Sequence, residues 1–158
     1  MTDRFIINNC LTPQDRENLI RDCRPLLKKI EHCTAYQTDA PIRTYPQFET
    51  IHKKFDDIAQ HHLKRELKPD KSWFIMTNGT NDQFLMHYHP VDYAAVYYIN
   101  SFPNYKNGTI FEEDGFIEAS ENSMLLFPGH LRHSAPTFKE DFERYTMSLN
   151  WNFKTSHG

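Results

Sequence analysis

Two textures divide the chain near residue 69. Before it, apolar residues recur at helical spacing; after it, short runs rich in β-branched and aromatic residues alternate with turn signals. Leu19, Cys23, Leu26, Leu27 and Ile30 form one apolar stripe, and Phe48, Ile51, Phe55, Ile58 and Leu63 form a second. Ahead of the first stripe, Thr12 is placed to cap a helix, Pro13 suits its first position, and Asp15 sits where a capping-box acid belongs. Pro25 interrupts the stripe and predicts a kink or break near Arg24. Phe5-Ile6-Ile7 predicts a short strand. The segment from Cys33 to Pro46 has little periodicity and reads as a loop.

Beyond Pro69 the pattern predicts strands near Trp73–Met76, Gln83–His89, Ala94–Ile99, Thr109–Phe111, Phe116–Glu118, Ser123–Phe127 and Arg144–Phe153. Asn78-Gly79, Pro103-Asn104, Asn107-Gly108, Asp114-Gly115 and Pro128-Gly129 divide them. Short strands behind two helices suggest an antiparallel sandwich or barrel, with the helices packed on one outer face. In the last strand Arg144, Thr146, Ser148 and Asn150 share one face, while Tyr145, Met147, Leu149 and Trp151 share the other. An ordinary sandwich turns such a polar set to solvent; a ligand-holding barrel turns it inward. Tyr88, Trp73 and Trp151 read as core aromatics.

Composition narrows the classes. At 158 residues the chain fits one domain with a substantial core, here 1–158, with helical support over 1–69 and a β core over 70–155. The formal charge of −3, with both signs interleaved, gives no basic footprint, so no nucleic-acid partner is expected. Three cysteines without a CxxC pair argue against a disulfide framework and a zinc ribbon. No apolar run approaches a bilayer span and the N-terminus does not read as a signal peptide, so a cytoplasmic location is expected.

Nine histidines make metal chemistry worth seeking. His87 and His89, one residue apart in a predicted strand, place two imidazoles on one face, about 7 Å apart at Cα. Two polar side chains on a solvated strand explain the pair equally simply, although Phe84, Leu85 and Met86 suggest a buried approach. A third ligand must come from elsewhere. His130 and His133 follow the run Met124–Phe127 and its turn; His130 reads as a solvent-facing turn residue, and His133 is open between surface and ligand. Arg144 and Thr146 share a face that could bind a carboxylate, the guanidinium as a bidentate fork and the hydroxyl as a brace. Glu112-Glu113-Asp114 reads as a solvated hairpin turn.

Taken in order, His87-Tyr-His89, Tyr97-Tyr98-Ile99-Asn100, Gly108-Thr-Ile-Phe111, Leu125-Leu-Phe127, His133-Ser-Ala-Pro136 and Arg144-Tyr-Thr146 resemble the iron(II)/2-oxoglutarate-dependent dioxygenase superfamily. The likeness covers residues 73–153 and is greatest to the prolyl-hydroxylase-like branch and related HxHP-type oxygenases. It implies a mainly β fold, a double-stranded β-helix of the jelly-roll or cupin-like kind with N-terminal helices. It also implies Fe(II), 2-oxoglutarate and O2, with His87 and His133 as iron ligands. Arg144 would take the 2-oxoglutarate C5 carboxylate, helped by Thr146 and the hydroxyl of Tyr98. The implied reaction is oxidative decarboxylation of 2-oxoglutarate with hydroxylation of a C–H bond in a peptidyl or small amino-acid-like substrate.

One position departs from the pattern. The usual motif is His-x-Asp, and this chain has His89 where the carboxylate belongs. Either His89 is itself a ligand, or Asp92 curls back after Pro90 to supply the carboxylate, or the site is degenerate. The first is favoured, because residues at i and i+2 need no extra bend. Two rival functions follow. One is a cupin-type three-histidine dioxygenase that uses no 2-oxoglutarate; the other is a non-enzymatic small-molecule-binding β-barrel.

Overall fold

A computed structural model of the chain describes residues 4–31, 35–78 and 85–155. Thr12 caps the first helix through its hydroxyl, which accepts the Asp15 N–H at 3.1 Å. Helix α1 (Pro13–Cys23) buries Leu19 and Cys23 and gives way to a 3₁₀ turn at Arg24–Leu26, where the predicted break falls. The rest of the apolar stripe is not helical. Beyond Pro25 the chain extends into strand β2 (Leu27–Lys29), which pairs with β3 (Ala35–Thr38). The expected loop therefore contains a strand; it joins the sheet because Ala35 and Thr38 are buried there and the Thr38 hydroxyl accepts the Phe74 N–H. Cys33 lies outside the described residues.

Helix α2 (Glu49–Leu63) carries the second stripe, burying Ile51, Phe55 and Ala59. It also buries His52, whose Nδ1 lies 2.9 Å from the Phe48 carbonyl and whose Nε2 lies 2.6 Å from Ser72 Oγ. In the neutral ring that burial favours, Nδ1–H donates to the carbonyl and Nε2 accepts from the serine.

Seven antiparallel strands form the large sheet, in the order β1-β8-β5-β10-β4-β3-β2. They include β1 (Phe5–Ile7), β4 (Leu67–Thr77), β5 (Tyr93–Tyr98), β8 (Ser123–Pro128) and β10 (Arg144–Phe153). The first 69 residues thus supply strands as well as helices, and β4 begins ahead of Pro69. A smaller sheet stacks β7 (Gly115–Glu118), β6 (Gly108–Phe111) and β9 (His133–Ser134). Glu112-Glu113-Asp114 makes the β6–β7 turn, closed by Gly115 at φ 78°, a backbone conformation that glycine adopts without steric cost. The predicted strand at Gln83–His89 differs. Gln83 and Phe84 lie outside the described residues, and the remainder makes one bridge, His87 with His133.

Period-two alternation sorts the large sheet's side chains between two cores. Tyr93, Ala95 and Tyr97 of β5, Met124 and Leu126 of β8, and Tyr145, Met147, Leu149 and Trp151 of β10 pack against the helices. Ala94, Tyr98, Leu125 and Phe127 point the other way and meet Phe111, Ala119 and Leu131 between the sheets. The result is the expected mainly β double-stranded β-helix with two helices on one outer face. Among the described residues no helix is long and apolar enough to cross a membrane.

Burial lowers His52 to about 4, helped by the nearby positive charge of Arg43. The unfolded chain therefore protonates first, near pH 6.5, and stability present above that pH is lost as pH falls toward 4. His52→Gln is expected to remove a share of that loss on the order of 3 kcal/mol. Urea midpoints of wild type and variant across pH 4–7 test this; parallel curves would rule out the His52 contribution.

Candidate metal and anion site

The His87 and His133 backbones exchange two hydrogen bonds, His87 N–H to the His133 carbonyl at 2.9 Å and the reverse at 2.8 Å. This bridge brings two of the expected ligands together, and the i, i+2 spacing brings the third. The ligand atoms of His87, His89 and His133 all lie within 4.8 Å of one another. His133 is buried, His89 half-buried and His87 exposed, so the cluster sits at the edge of the interior.

Two rings are held in a defined tautomer. His87 Nδ1 lies 2.9 Å from the Leu85 carbonyl and His133 Nδ1 lies 2.9 Å from the Leu131 carbonyl. An N–H at each Nδ1 leaves the Nε2 lone pair available, the arrangement that orients a metal-binding histidine. Burial lowers His133 and His89 to about 4, so both are neutral near pH 7. Nitrogen donors hold a metal ion at about 2.0–2.1 Å, and three ligand atoms this close together can converge on one ion. The three residues fit a metal ion.

The remaining candidates do not join them. The Asp92 carboxylate accepts the Phe153 N–H at 2.8 Å, at the end of β10. His130 is an exposed turn residue, as expected. Tyr88 is 55% exposed and is not the core aromatic its context suggested, whereas Trp151 is fully buried.

A cavity of about 90 Å³ opens beside the histidines, between the sheets. His87 and His133 line it together with Thr77, Thr109, Arg144 and Thr146, and Ile75 and Val96 add apolar surface. The polar face of β10 therefore points inward. Arg144 is buried, and its Nε donates to Asn107 Oδ1 at 2.8 Å. Asn107 donates in turn to the Asn100 carbonyl at 2.8 Å. The Asn100 side chain accepts the Tyr145 N–H at 2.8 Å and donates to the Glu143 carbonyl at 2.9 Å. These two asparagines fix Arg144 through its side chain and through the backbone on either side.

Among the described residues no carboxylate lies within ion-pair distance of Arg144. A buried guanidinium without a counter-ion is costly, and an anion in the cavity would offset that cost. The Thr77 hydroxyl, opposite Arg144 in the β4–β10 pairing, is buried without a partner and offers a further donor. Tyr98 stands one layer back. Its hydroxyl bonds to that of Thr109, its ring lies 5.7 Å from the Arg144 guanidinium carbon, and burial pushes its phenol up to about 12.

Sequence reasoning missed Asn107 and Thr109 as site residues. Asn107 was hidden by its Asn-Gly-Thr context, which reads as a turn; its burial arises from tertiary packing that no local pattern records. Gly129 was likewise read only as turn chemistry. A Cβ there would stand 2.2 Å from the Val91 carbonyl oxygen and 2.9 Å from that of His89, while the Gly129 carbonyl accepts the His89 N–H at 2.9 Å.

Two stacked antiparallel sheets with histidines and an arginine converging between them define the double-stranded β-helix class that includes the 2-oxoglutarate–Fe(II) oxygenases. Solved members of that class superpose on nearly the whole chain. The non-heme α-ketoglutarate-dependent epimerase SnoN from nogalamycin biosynthesis matches with a TM-score of 0.77 at 10% identity, covering 98% of this chain and 80% of its own. HygX from Streptomyces hygroscopicus, solved with nickel and 2-oxoglutarate bound, gives 0.70 at 10% identity over 97% and 84%. A Trichoplax adhaerens prolyl hydroxylase in complex with a hypoxia inducible factor peptide gives 0.66 at 14% identity over 97% and 84%. No family model matches the sequence, and no curated protein matches it.

Because the atoms met by a Cβ at Gly129 are backbone, Gly129→Ala must push the His89–Val91 segment aside. Ni(II) affinity by calorimetry is expected to fall roughly 10- to 100-fold, the scale of a lost supporting contact around a metal ligand. Unchanged affinity would show that the segment adjusts freely.

Proposed function

We propose that this chain is an Fe(II)- and 2-oxoglutarate-dependent oxygenase that hydroxylates a C–H bond of a peptidyl or small amino-acid-like substrate. One observation carries the reading. In a fold shared with oxygenases of this chemistry, a cluster of three histidines stands beside a small cavity lined by His87, by His133 and by a buried arginine without a counter-ion.

His87, His89 and His133 hold the metal, with the first and last fixed by their Nδ1–H bonds to Leu85 and Leu131. Arg144 takes the distal carboxylate of 2-oxoglutarate, and Asn107 keeps the guanidinium aimed. Thr146 braces that carboxylate from the same strand face, and Tyr98 supports it through Thr109. Ile75 and Val96 exclude water from one wall. When bound, Fe(II) supplies the redox chemistry that couples O2 to decarboxylation of 2-oxoglutarate and oxidation of the substrate. The cavity is small, so the substrate meets the site at its mouth, where His87 is exposed.

A cupin-type three-histidine dioxygenase shares the ligand set but gives Arg144 and its asparagine supports no task. A binding barrel gives the fixed Nδ1 tautomers none.

Anaerobic addition of Fe(II) and 2-oxoglutarate is expected to produce the weak visible charge-transfer band of a chelated complex. Iron binding without the band would favour the cupin-type enzyme; no iron binding would favour the binding barrel. Arg144→Ala should weaken 2-oxoglutarate binding at least tenfold, while iron affinity measured without 2-oxoglutarate is retained or rises. His133→Ala should lose both iron and turnover.

Asn107→Asp should set a carboxylate against Arg144 and compete with the cosubstrate. The 2-oxoglutarate dissociation constant should rise more than in Asn107→Ala, and equal effects would mean that Asn107 acts by shape alone.

A further inference from the structure

The charge around the cavity does not balance. Its metal-binding group is three histidines, all uncharged when they offer lone pairs, and none of the residues lining the cavity is acidic. Several described carboxylates have other partners: Asp92 the Phe153 N–H, Glu112 Arg132, Asp114 Arg4, and Glu143 Arg24. Arg144 adds a positive charge that none of the described carboxylates pairs with. A divalent ion therefore enters a cavity that already holds a cation and meets no anionic ligand. In partly buried surroundings such repulsion is poorly screened by water or salt.

We infer that the dicarboxylate carries the negative charge this cavity lacks, so that the metal is held tightly only while the dicarboxylate is bound. The inference rests on the oxygenase reading for the identity of the anion. It concerns a different property, the dependence of metal retention on the anion. An Asp at position 89 would cancel one charge permanently and weaken that dependence. With His89 the cancellation is supplied from outside, and the concentration of the dicarboxylate sets the metal load. Linkage requires the reverse as well: the metal raises dicarboxylate affinity by the same factor.

Chelation through the 2-oxo group would couple the two ligands whatever the charge, so the probe is succinate, which keeps both carboxylates and lacks that group. Ni(II) binding is measured by calorimetry on the full chain, with and without saturating succinate, correcting for nickel–succinate complexes in solution. Succinate should raise wild-type Ni(II) affinity at least tenfold, and Ni(II) should raise succinate affinity equally. In His89→Asp, Ni(II) alone should bind at least as tightly as in wild type, and the succinate effect should shrink below about threefold, well under the coupling typical of linked sites. Circular dichroism checks folding; if His89→Asp does not fold, His89→Glu carries the same comparison.

No succinate effect in wild type, or an equal effect in the carboxylate variant, would overturn the inference. These results are separable from the fate of the oxygenase reading. A charge-transfer band with 2-oxoglutarate but no succinate coupling defeats the inference alone. Coupling without the band defeats the oxygenase reading and leaves the inference standing for another dicarboxylate.

Discussion

Strand β10 is flanked on both edges, by β4 over nearly its whole length and by β5 from Thr146 to Trp151, and is packed on both faces. Its backbone hydrogen bonds are supplied from two sides, so its alternation is rigidly expressed. One set of side chains, Tyr145 to Trp151, enters the core beneath the helices. The other set begins with Arg144 and Thr146 and can only enter the space between the sheets. A slip of one residue would exchange the sets, driving a guanidinium into an aromatic core. The site and the hydrophobic core are thus two readings of one register.

The other half of the site has less support. Segment 85–89 makes no extended ladder; it joins the small sheet through the His87–His133 bridge and approaches the β8–β9 turn through the His89–Gly129 hydrogen bond. His133 lies on the far side of that same turn. A short, tight connection therefore fixes two ligand positions relative to each other, and Gly129 matters because a side chain there would intrude on the carbonyls of His89 and Val91.

Much of this architecture was legible in the chain. Thr12 and Pro13 announced α1, Pro25 ended it, and the alternation of Arg144–Trp151 marked a polar face while leaving open whether it met solvent or a cavity. The histidine cluster could be assembled from spacing together with family likeness. Strand β3 was not legible, because it owes its place to the edge of β4 rather than to strong alternation of its own. The stripe through Leu27 and Ile30 misled because apolar residues at the right interval serve a strand edge as well as a helix face. Asn100 and Asn107 were invisible for a deeper reason. Their amides satisfy groups distant in sequence, and nothing local distinguishes a buried asparagine from one in a solvated turn.

The uneven anchoring of the three histidines has a kinetic consequence. His133 is packed against Phe127 and Phe111, whereas His87 is exposed on a segment held at few points. An ion seated among them would leave by a hinged route: the 85–89 segment peels away first and carries two of the three donors with it. A competing chelator then meets an ion held by a single imidazole. The speed of metal exchange at such a cluster would then follow the opening of this short tether as well as the strength of the metal–nitrogen bonds.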